Sequence, residues 1–302
     1  MSDLLFRGAA PALVTPFTAD GALDLAAFRR LIDTQIDGGV SALVVLGTTG
    51  ENPTVTDAER ATLVDAAVAH TAGRVPVIVG TGTNNTAQSI RFSEEAAAAG
   101  ADGLLVVGPY YNKPSQASFQ AHVRAIAEAT PLPILLYNVP GRTSFNISAD
   151  TTLKLATTVE TVVGVKEASG NLAQIGDILA GRPDGFAVYA GDDEIFLPLA
   201  ALGADGVVSV VANAVPDDFC AMVAAALNGR FDAARTQHEA LLPAMRACFL
   251  ETNPVPVKTV LAATGAMADR VRLPLEPLAP NAALRGRILD AFAPFLALDR
   301  PA

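Results

Sequence analysis

Ala99-Gly100-Ala101-Asp102-Gly103-Leu104 and Leu202-Gly203-Ala204-Asp205-Gly206-Val207 are two copies of one device. In each, a helical pattern stops on a glycine, a short turn follows, and an apolar run begins. Those runs, 103–107 and 206–210, are apolar with little alternation, as strands buried on both faces of a parallel sheet are. A repeated helix stop and strand start marks a repeated unit. Working outward, further strand signals stand at 9–14, 41–46, 75–79, 132–137, 161–168 and 185–190. Helical patterns fill the gaps. Asp24 opens the first, and Gly38-Gly39 end it; Thr56 caps the second, to about residue 72. Others are expected over 86–99, 115–129, 149–157 and 171–180, then one capped by Asp192, and one over 216–227 begun by Pro216. Eight strand–helix units at roughly 25–30-residue intervals predict a closed (β/α)8 barrel over residues 1–229. Three more helical patterns, 231–250, 254–265 and 281–296, make 230–302 a C-terminal helical extension. The runner-up is an open doubly wound sheet, but its nucleotide signals are poor. Gly80-Thr81-Gly82 follows a strand, yet Asn85 stands where a third glycine belongs, and there is no GxxxxGK[ST] loop.

The 302 residues are 51% hydrophobic, enough for a sizeable core and against long disorder. A net charge of −10 argues against nucleic acid or anionic membrane as partner, though not against a small anion held by local cations. Cys220 and Cys248 lie in apolar stretches without a CxxC pattern, as reduced thiols of a cytoplasmic protein do. Met1-Ser2-Asp3-Leu4 shows no cationic stretch leading into an apolar one, so no signal peptide is read, and no apolar run is long enough to span a membrane.

Chemistry in such barrels gathers at the C-terminal ends of the strands. There the chain places Thr48 and Thr49 (second strand), Tyr110 and Tyr111 (fourth), Tyr137 followed by Arg142 (fifth), Lys166 (sixth), Gly191 (seventh) and the surroundings of Val208 (eighth). Lys166 ends the run Thr161-Val162-Val163-Gly164-Val165. Burial there disfavours the ammonium form, and a free amine attacks carbonyl carbon to give a Schiff base. Its bland alternatives are a lysine snorkelling to the rim or paired with Glu167. Hydroxyls for proton relay and a guanidinium for a carboxylate complete an inventory suited to amine-dependent aldol chemistry on a keto acid. His70, His122 and His238 fall within helices, away from strand ends. Asp192-Asp193-Glu194 reads as acids complementing a helix N-terminus rather than as a metal cluster. Neither a metal site nor a Ser-His-Asp triad is visible.

Six segments together are similar to the dihydrodipicolinate synthase family of class I, Schiff-base aldolases: Gly47-Thr48-Thr49-Gly50-Glu51, Pro109-Tyr110-Tyr111-Asn112-Lys113-Pro114, Tyr137-Asn138-Val139-Pro140-Gly141-Arg142-Thr143, Gly164-Val165-Lys166-Glu167-Ala168, Gly191-Asp192-Asp193 and Asn253-Pro254-Val255-Pro256-Val257-Lys258. The resemblance covers nearly the whole chain. It implies condensation of pyruvate with L-aspartate 4-semialdehyde, without cofactor or metal. It implies that Lys166 forms the imine and that Tyr137 is the central acid/base. Thr48 and Thr49 hold the pyruvate carboxylate, with Thr49 also in a proton relay that Tyr111 enters from a neighbouring subunit. Arg142 binds the carboxylate of the aldehyde, and Gly191 and Val208 border the pocket. A homo-oligomer follows, a tetramer built as a dimer of dimers. Other keto-acid aldolases of the same barrel, or a catalytically silent keto-acid-binding barrel, are the alternatives.

Many members of that family bind lysine as a feedback inhibitor in a cleft between subunits. The matching positions here are Asn52, Pro53, Asp57, Arg60, Asn84, Gln88 and Tyr110. Gln88 stands where the sensitive pattern has a glutamate for the ligand's ammonium, and Arg60 adds a like charge. Asp57 compensates in part. The expectation is weak or absent feedback.

Overall fold

The computed structural model describes residues 4–296; the reading of Met1-Ser2-Asp3 and the end of the extension, 297–302, lie outside the described residues. The units run β1 (Gly8–Pro11), α1 (Leu25–Asp37), β2 (Leu43–Val45), α2 (Asp57–Thr71), β3 (Val77–Gly80), α3 (Thr86–Ala98), β4 (Gly103–Val107), α4 (Gln116–Ala129), β5 (Ile134–Asn138), α5 (Pro140–Thr143), α6 (Ala149–Thr158), β6 (Val162–Glu167), α7 (Leu172–Gly181), β7 (Ala187–Ala190), α8 (Phe196–Ala201), β8 (Gly206–Ser209) and α9 (Pro216–Leu227). Then come α10 (Phe231–Ala247), α11 (Val255–Ala263) and α12 (Ala283–Phe292).

Helix starts follow the capping chemistry of the sequence. The Asp24 carboxylate accepts from the Ala27 N–H at 2.8 Å, and Ser115 and Asn171 cap α4 and α7 likewise. Thr56 and Glu59 cap α2 reciprocally, each side chain bonding the other's backbone N–H. The acids before α8 depart from this pattern. That helix begins at Phe196, with Ile195 at the N-cap position and no side-chain cap, so Asp192 does not cap it. Its carboxylate instead accepts from the Glu194 N–H two residues on, while Asp193 is drawn into the interior.

All strand pairings are parallel, in the order β1-β8-β7-β6-β5-β4-β3-β2. The ring closes between the ends of that order. Ala12 bridges Val44, the Leu13 N–H donates to Val44 O at 2.9 Å, and the Ser41 N–H donates to Ala9 O at 2.8 Å. The predicted barrel, rather than the open sheet, is what forms.

Alternate residues fill two separate cores, as the period of a strand requires. Ala10, Val44, Ile78, Leu105, Leu135, Tyr189 and Val208 point into the barrel. Their neighbours Ala9, Val45, Val79, Leu104, Leu136, Val188 and Val207 face the helices. Outside, Phe28, Phe119, Phe196, Phe219 and Phe292 are fully buried, each contributing about 1.5–3 kcal/mol. At the N-terminal end of the barrel, Phe6 stacks on Tyr189 at 4.0 Å between ring centres and closes the bottom. The cavities that hold the strand-end residues lie at the opposite, C-terminal end.

The extension packs on the barrel through α10 against α9 and α8, with α12 against α10 and α11. One polar contact ties it inward. Lys258 of α11, fully buried, pairs with Glu51 in the loop after β2 and donates to Arg270 O at 2.8 Å. Glu51 in turn accepts from the Arg272 N–H at 2.9 Å. Burial pulls the Lys258 ammonium down to about 8 against the opposing pull of Glu51. A buried ion pair of this kind fixes geometry more surely than it adds stability. Among the described residues no helix is long and apolar enough to cross a membrane.

Candidate active site

Register, not sequence distance, brings the site together. Tyr137 and Lys166 are direct partners across β5 and β6, and both point inward at the open end of the barrel. Lys166 Nζ lies 4.2 Å from the centre of the Tyr137 ring. Gly164, two residues earlier on the same face, lets β6 approach this closely. A Cβ there would lie 2.7 Å from Ala187 O and 2.9 Å from the Leu135 side chain.

Glu167 does not pair with Lys166. It faces outward and is fully buried, with its oxygens accepting from Asn138 Nδ2 at 3.0 Å, Gln174 Nε2 at 3.0 Å and the Ser169 N–H at 2.9 Å. Asn138 and Glu167 are themselves register partners. The pair outside the barrel therefore locks the spacing of the Tyr137–Lys166 pair inside it, and leaves the amine without a carboxylate of its own.

A cavity beside Lys166 is lined by Thr48, Thr49, Tyr137, Arg142, Gly191 and Asn253, among others. Gly191 must lack a side chain, since a Cβ would lie 2.6 Å from that of Ala168. The two threonines divide differently from expectation. Thr48 Oγ1 stands 3.5 Å from Tyr137 Oη, whereas the Thr49 hydroxyl accepts from Asn253 Nδ2 at 2.9 Å. The hydroxyl in line with Tyr137 is thus that of Thr48. Val208 belongs to the packed barrel filling, and the wall from the eighth strand's end is Val210.

Arg142 sits on α5, a single helical turn whose Pro140-Gly141-Arg142-Thr143 reads as a loop in sequence. Its Nη2 lies 3.4 Å from Asn253 O. Asn253 therefore touches both Thr49 and Arg142 from the extension. No spacing in the sequence links it to them; its presence in the NPVPVK segment was the available signal.

Tyr137, Thr48, Val139 and Arg142 also form the wall of a second cavity, whose far side is Asn52, Pro53 and Tyr110. Tyr111 is in neither cavity. It stands 89% exposed with φ at +70°, a left-handed backbone that throws its ring outward.

The expected regulatory cleft has a distinct charge pattern. Asp57 is paired with Arg91 at 2.8 Å. Arg60 is buried, donates to Asn52 Oδ1 at 2.6 Å and to Gly80 O, and stacks 4.0 Å from the Phe92 ring centre. Burial lowers it to about 10, still a cation at neutral pH. Asn84 and Asn112 bond each other, and Gln88 lies in the first turn of α3.

Two of the histidines are held by structural partners: His70 meets Asp33 at 2.9 Å, and His122 meets Thr86 at 2.9 Å. No group of three or more His, Cys, Asp or Glu among the described residues is placed to share a metal ion.

A parallel barrel with a buried lysine at the C-terminal end of its sixth strand, a phenol over it and a guanidinium beside it has the architecture of a class I, Schiff-base aldolase. The chain belongs to the Dihydrodipicolinate synthetase family, whose model matches residues 5–286. It is 66% identical over 290 residues to the 4-hydroxy-tetrahydrodipicolinate synthase of Salinibacter ruber, covering 96% of each chain. Its fold matches the dihydrodipicolinate synthase of Thermotoga maritima with a TM-score of 0.93 at 40% identity, covering 96% of this chain and 98% of that one. It matches equally, at 38% identity and TM-score 0.93 over 96% and 98% of the chains, the Cyanidioschyzon merolae enzyme solved with lysine bound.

Proposed function

We propose that the chain condenses pyruvate with L-aspartate 4-semialdehyde to 4-hydroxy-tetrahydrodipicolinate and water. The observation that carries this is the Lys166 amine held against Tyr137 in a cavity that also presents Thr48, Thr49 and Arg142. Lys166 attacks the pyruvate ketone, and loss of water gives an iminium that makes a methyl proton acidic. The resulting enamine attacks the aldehyde. The ammonium group of the adduct gives a proton to the hydroxyl relay, the free amine attacks the imine carbon, the ring closes and Lys166 leaves.

Tyr137 passes protons in these steps, with the Thr48 hydroxyl next in line and Tyr111 of a neighbouring copy completing the relay. Thr49, oriented by Asn253, holds the pyruvate carboxylate together with backbone N–H groups. Arg142 binds the carboxylate of the aldehyde. In this reading residues 1–229 are the catalytic barrel and 230–302 an extension that completes the site.

The protein works as a cytoplasmic homotetramer, a dimer of dimers. The outward Tyr111 suits one interface, and Leu172 and Leu202, 43% and 55% exposed at the ends of α7 and α8, suit another. The deciding experiment is an aldehyde panel with pyruvate. Turnover of aspartate semialdehyde, well above that of the hydroxylated sugar aldehydes that pyruvate converts to 2-keto-3-deoxy sugar acids, is expected. A preference for the sugar aldehydes would assign the chain to that other aldolase chemistry.

A further inference from the structure

Asp192, Asp193 and Glu194 are consecutive acids after β7, and the fold sends each to a different place. Glu194 points outward to Arg246, Oε1 lying 2.6 Å from Nη2. Asp193 is turned inward, its Oδ2 accepting from the Val210 and Val211 N–H groups at 3.1 and 2.9 Å. Of the three, Asp192 alone lines the cavity of Lys166, Tyr137 and Arg142, and among the described residues it is the one acid on the wall of either cavity described above. Its Oδ1 accepts from the Glu194 N–H at 3.0 Å. No cation among the described residues pairs with it. Burial above all, with the Glu194 charge adding to it, pushes its carboxyl above the usual carboxylate range. A half-buried carboxylate that faces a cavity and pairs with neither of that cavity's cations, Lys166 and Arg142, favours a cationic ligand group.

We propose that Asp192 is a specificity-determining residue that holds the ammonium group of the amino-aldehyde substrate. This rests on the aldehyde assigned above. That substrate enters with three handles: a carboxylate, an ammonium and an aldehyde. Arg142 takes the first and the Lys166 enamine attacks the third. The ammonium, moving out of water, meets one anion in the cavity, Asp192. Holding both charged ends fixes the α-carbon, so the aldehyde carbon is presented to the enamine in one orientation. A sugar-acid aldehyde brings hydroxyls there and gains no ion pair.

The test is Asp192→Asn, which keeps the Oδ1 acceptor for the Glu194 N–H and removes only the charge. KM for aspartate semialdehyde should rise roughly 10–100-fold, the loss of one charge-assisted bond. Borohydride trapping of pyruvate should stay unchanged. Succinate semialdehyde has the same aldehyde and carboxylate without the amine, and its inhibition constant should be the same for both proteins. Asp192→Glu should recover part of the loss. Equal weakening toward both aldehydes, or an unchanged KM for aspartate semialdehyde, would overturn the proposal. Turnover of aspartate semialdehyde by the unsubstituted enzyme reports separately on the assigned reaction.

Discussion

Lys166 Nζ sits 4.2 Å from the centre of the Tyr137 ring, on the strand residue directly opposite it in the ladder. The ring's face packs on the amine and walls it from bulk water. The phenol hydroxyl lies on the side of Thr48, 3.5 Å away. On the proposed mechanism one side chain has two separable tasks, packing against the nucleophile and moving protons.

Tyr137→Phe separates them. The ring remains against Lys166, so the pyruvate imine should still form, more slowly. Turnover should fall about 10²–10⁴-fold, the usual worth of a positioned acid/base. Steady-state rates beside the rate of borohydride trapping check this. Turnover near the unsubstituted rate would remove Tyr137 from proton transfer.

Arg142→Lys keeps a positive charge but loses the planar fork. Turnover with aspartate semialdehyde should fall tenfold or more, on the order of one charge-assisted bond. Pyruvate trapping should be nearly unaffected. Parallel loss of trapping would place Arg142 on pyruvate instead.

L-Lysine should inhibit weakly or not at all. Asp57, the one acid in the cleft that offered compensation for Gln88, is already held by Arg91. Arg60 stays a buried cation between α2 and α3. A titration of the condensation assay decides it, and strong inhibition at low micromolar lysine would contradict this reading.

Glu59 links the α2 cap to the extension through Arg272. The Arg272 hydrogen bond chiefly holds the carboxyl down at about 2, against 4.5 ordinarily. A carboxylate whose folded pKa is depressed stabilises the fold above its unfolded value, and that contribution disappears as pH falls through 4.5 toward 2. With partial solvent screening it amounts to about 1–2 kcal/mol. Glu59→Gln should therefore lose about that much at pH 7 in denaturant titrations, with the gap to the unsubstituted protein narrowing below pH 4.5. A gap independent of pH would mean that packing, not charge, is what Glu59 supplies.

The barrel was legible because its strands are short, nearly unbroken apolar runs, and because Asp24, Thr56, Ser115 and Asn171 announce helix starts with side-chain acceptors. Lys166, Tyr137 and Arg142 were legible because the ends of parallel strands converge. The start of α8 was not, since Asp192 looks like a cap in one dimension, while the backbone N–H groups of Val210 and Val211, just past β8, decide where its neighbour Asp193 goes. Choosing between Thr48 and Thr49 depends on side-chain direction at the end of β2, which two adjacent identical residues cannot reveal. Asn253 was hidden for another reason. It is 204 positions from Thr49, and only the folded extension brings them to 2.9 Å.

The most direct test of the account is reduction with borohydride in the presence of pyruvate, followed by peptide mapping. Lys258 makes the result discriminating, because burial lowers its ammonium to about 8 while Glu51, Arg270 and Phe17 seal it from substrate. A stable pyruvate-derived mass on the peptide carrying Lys166, lost in Lys166→Ala, is the predicted result. Labelling of Lys258, Lys113 or Lys154, or no labelling at all, would contradict the Schiff-base assignment.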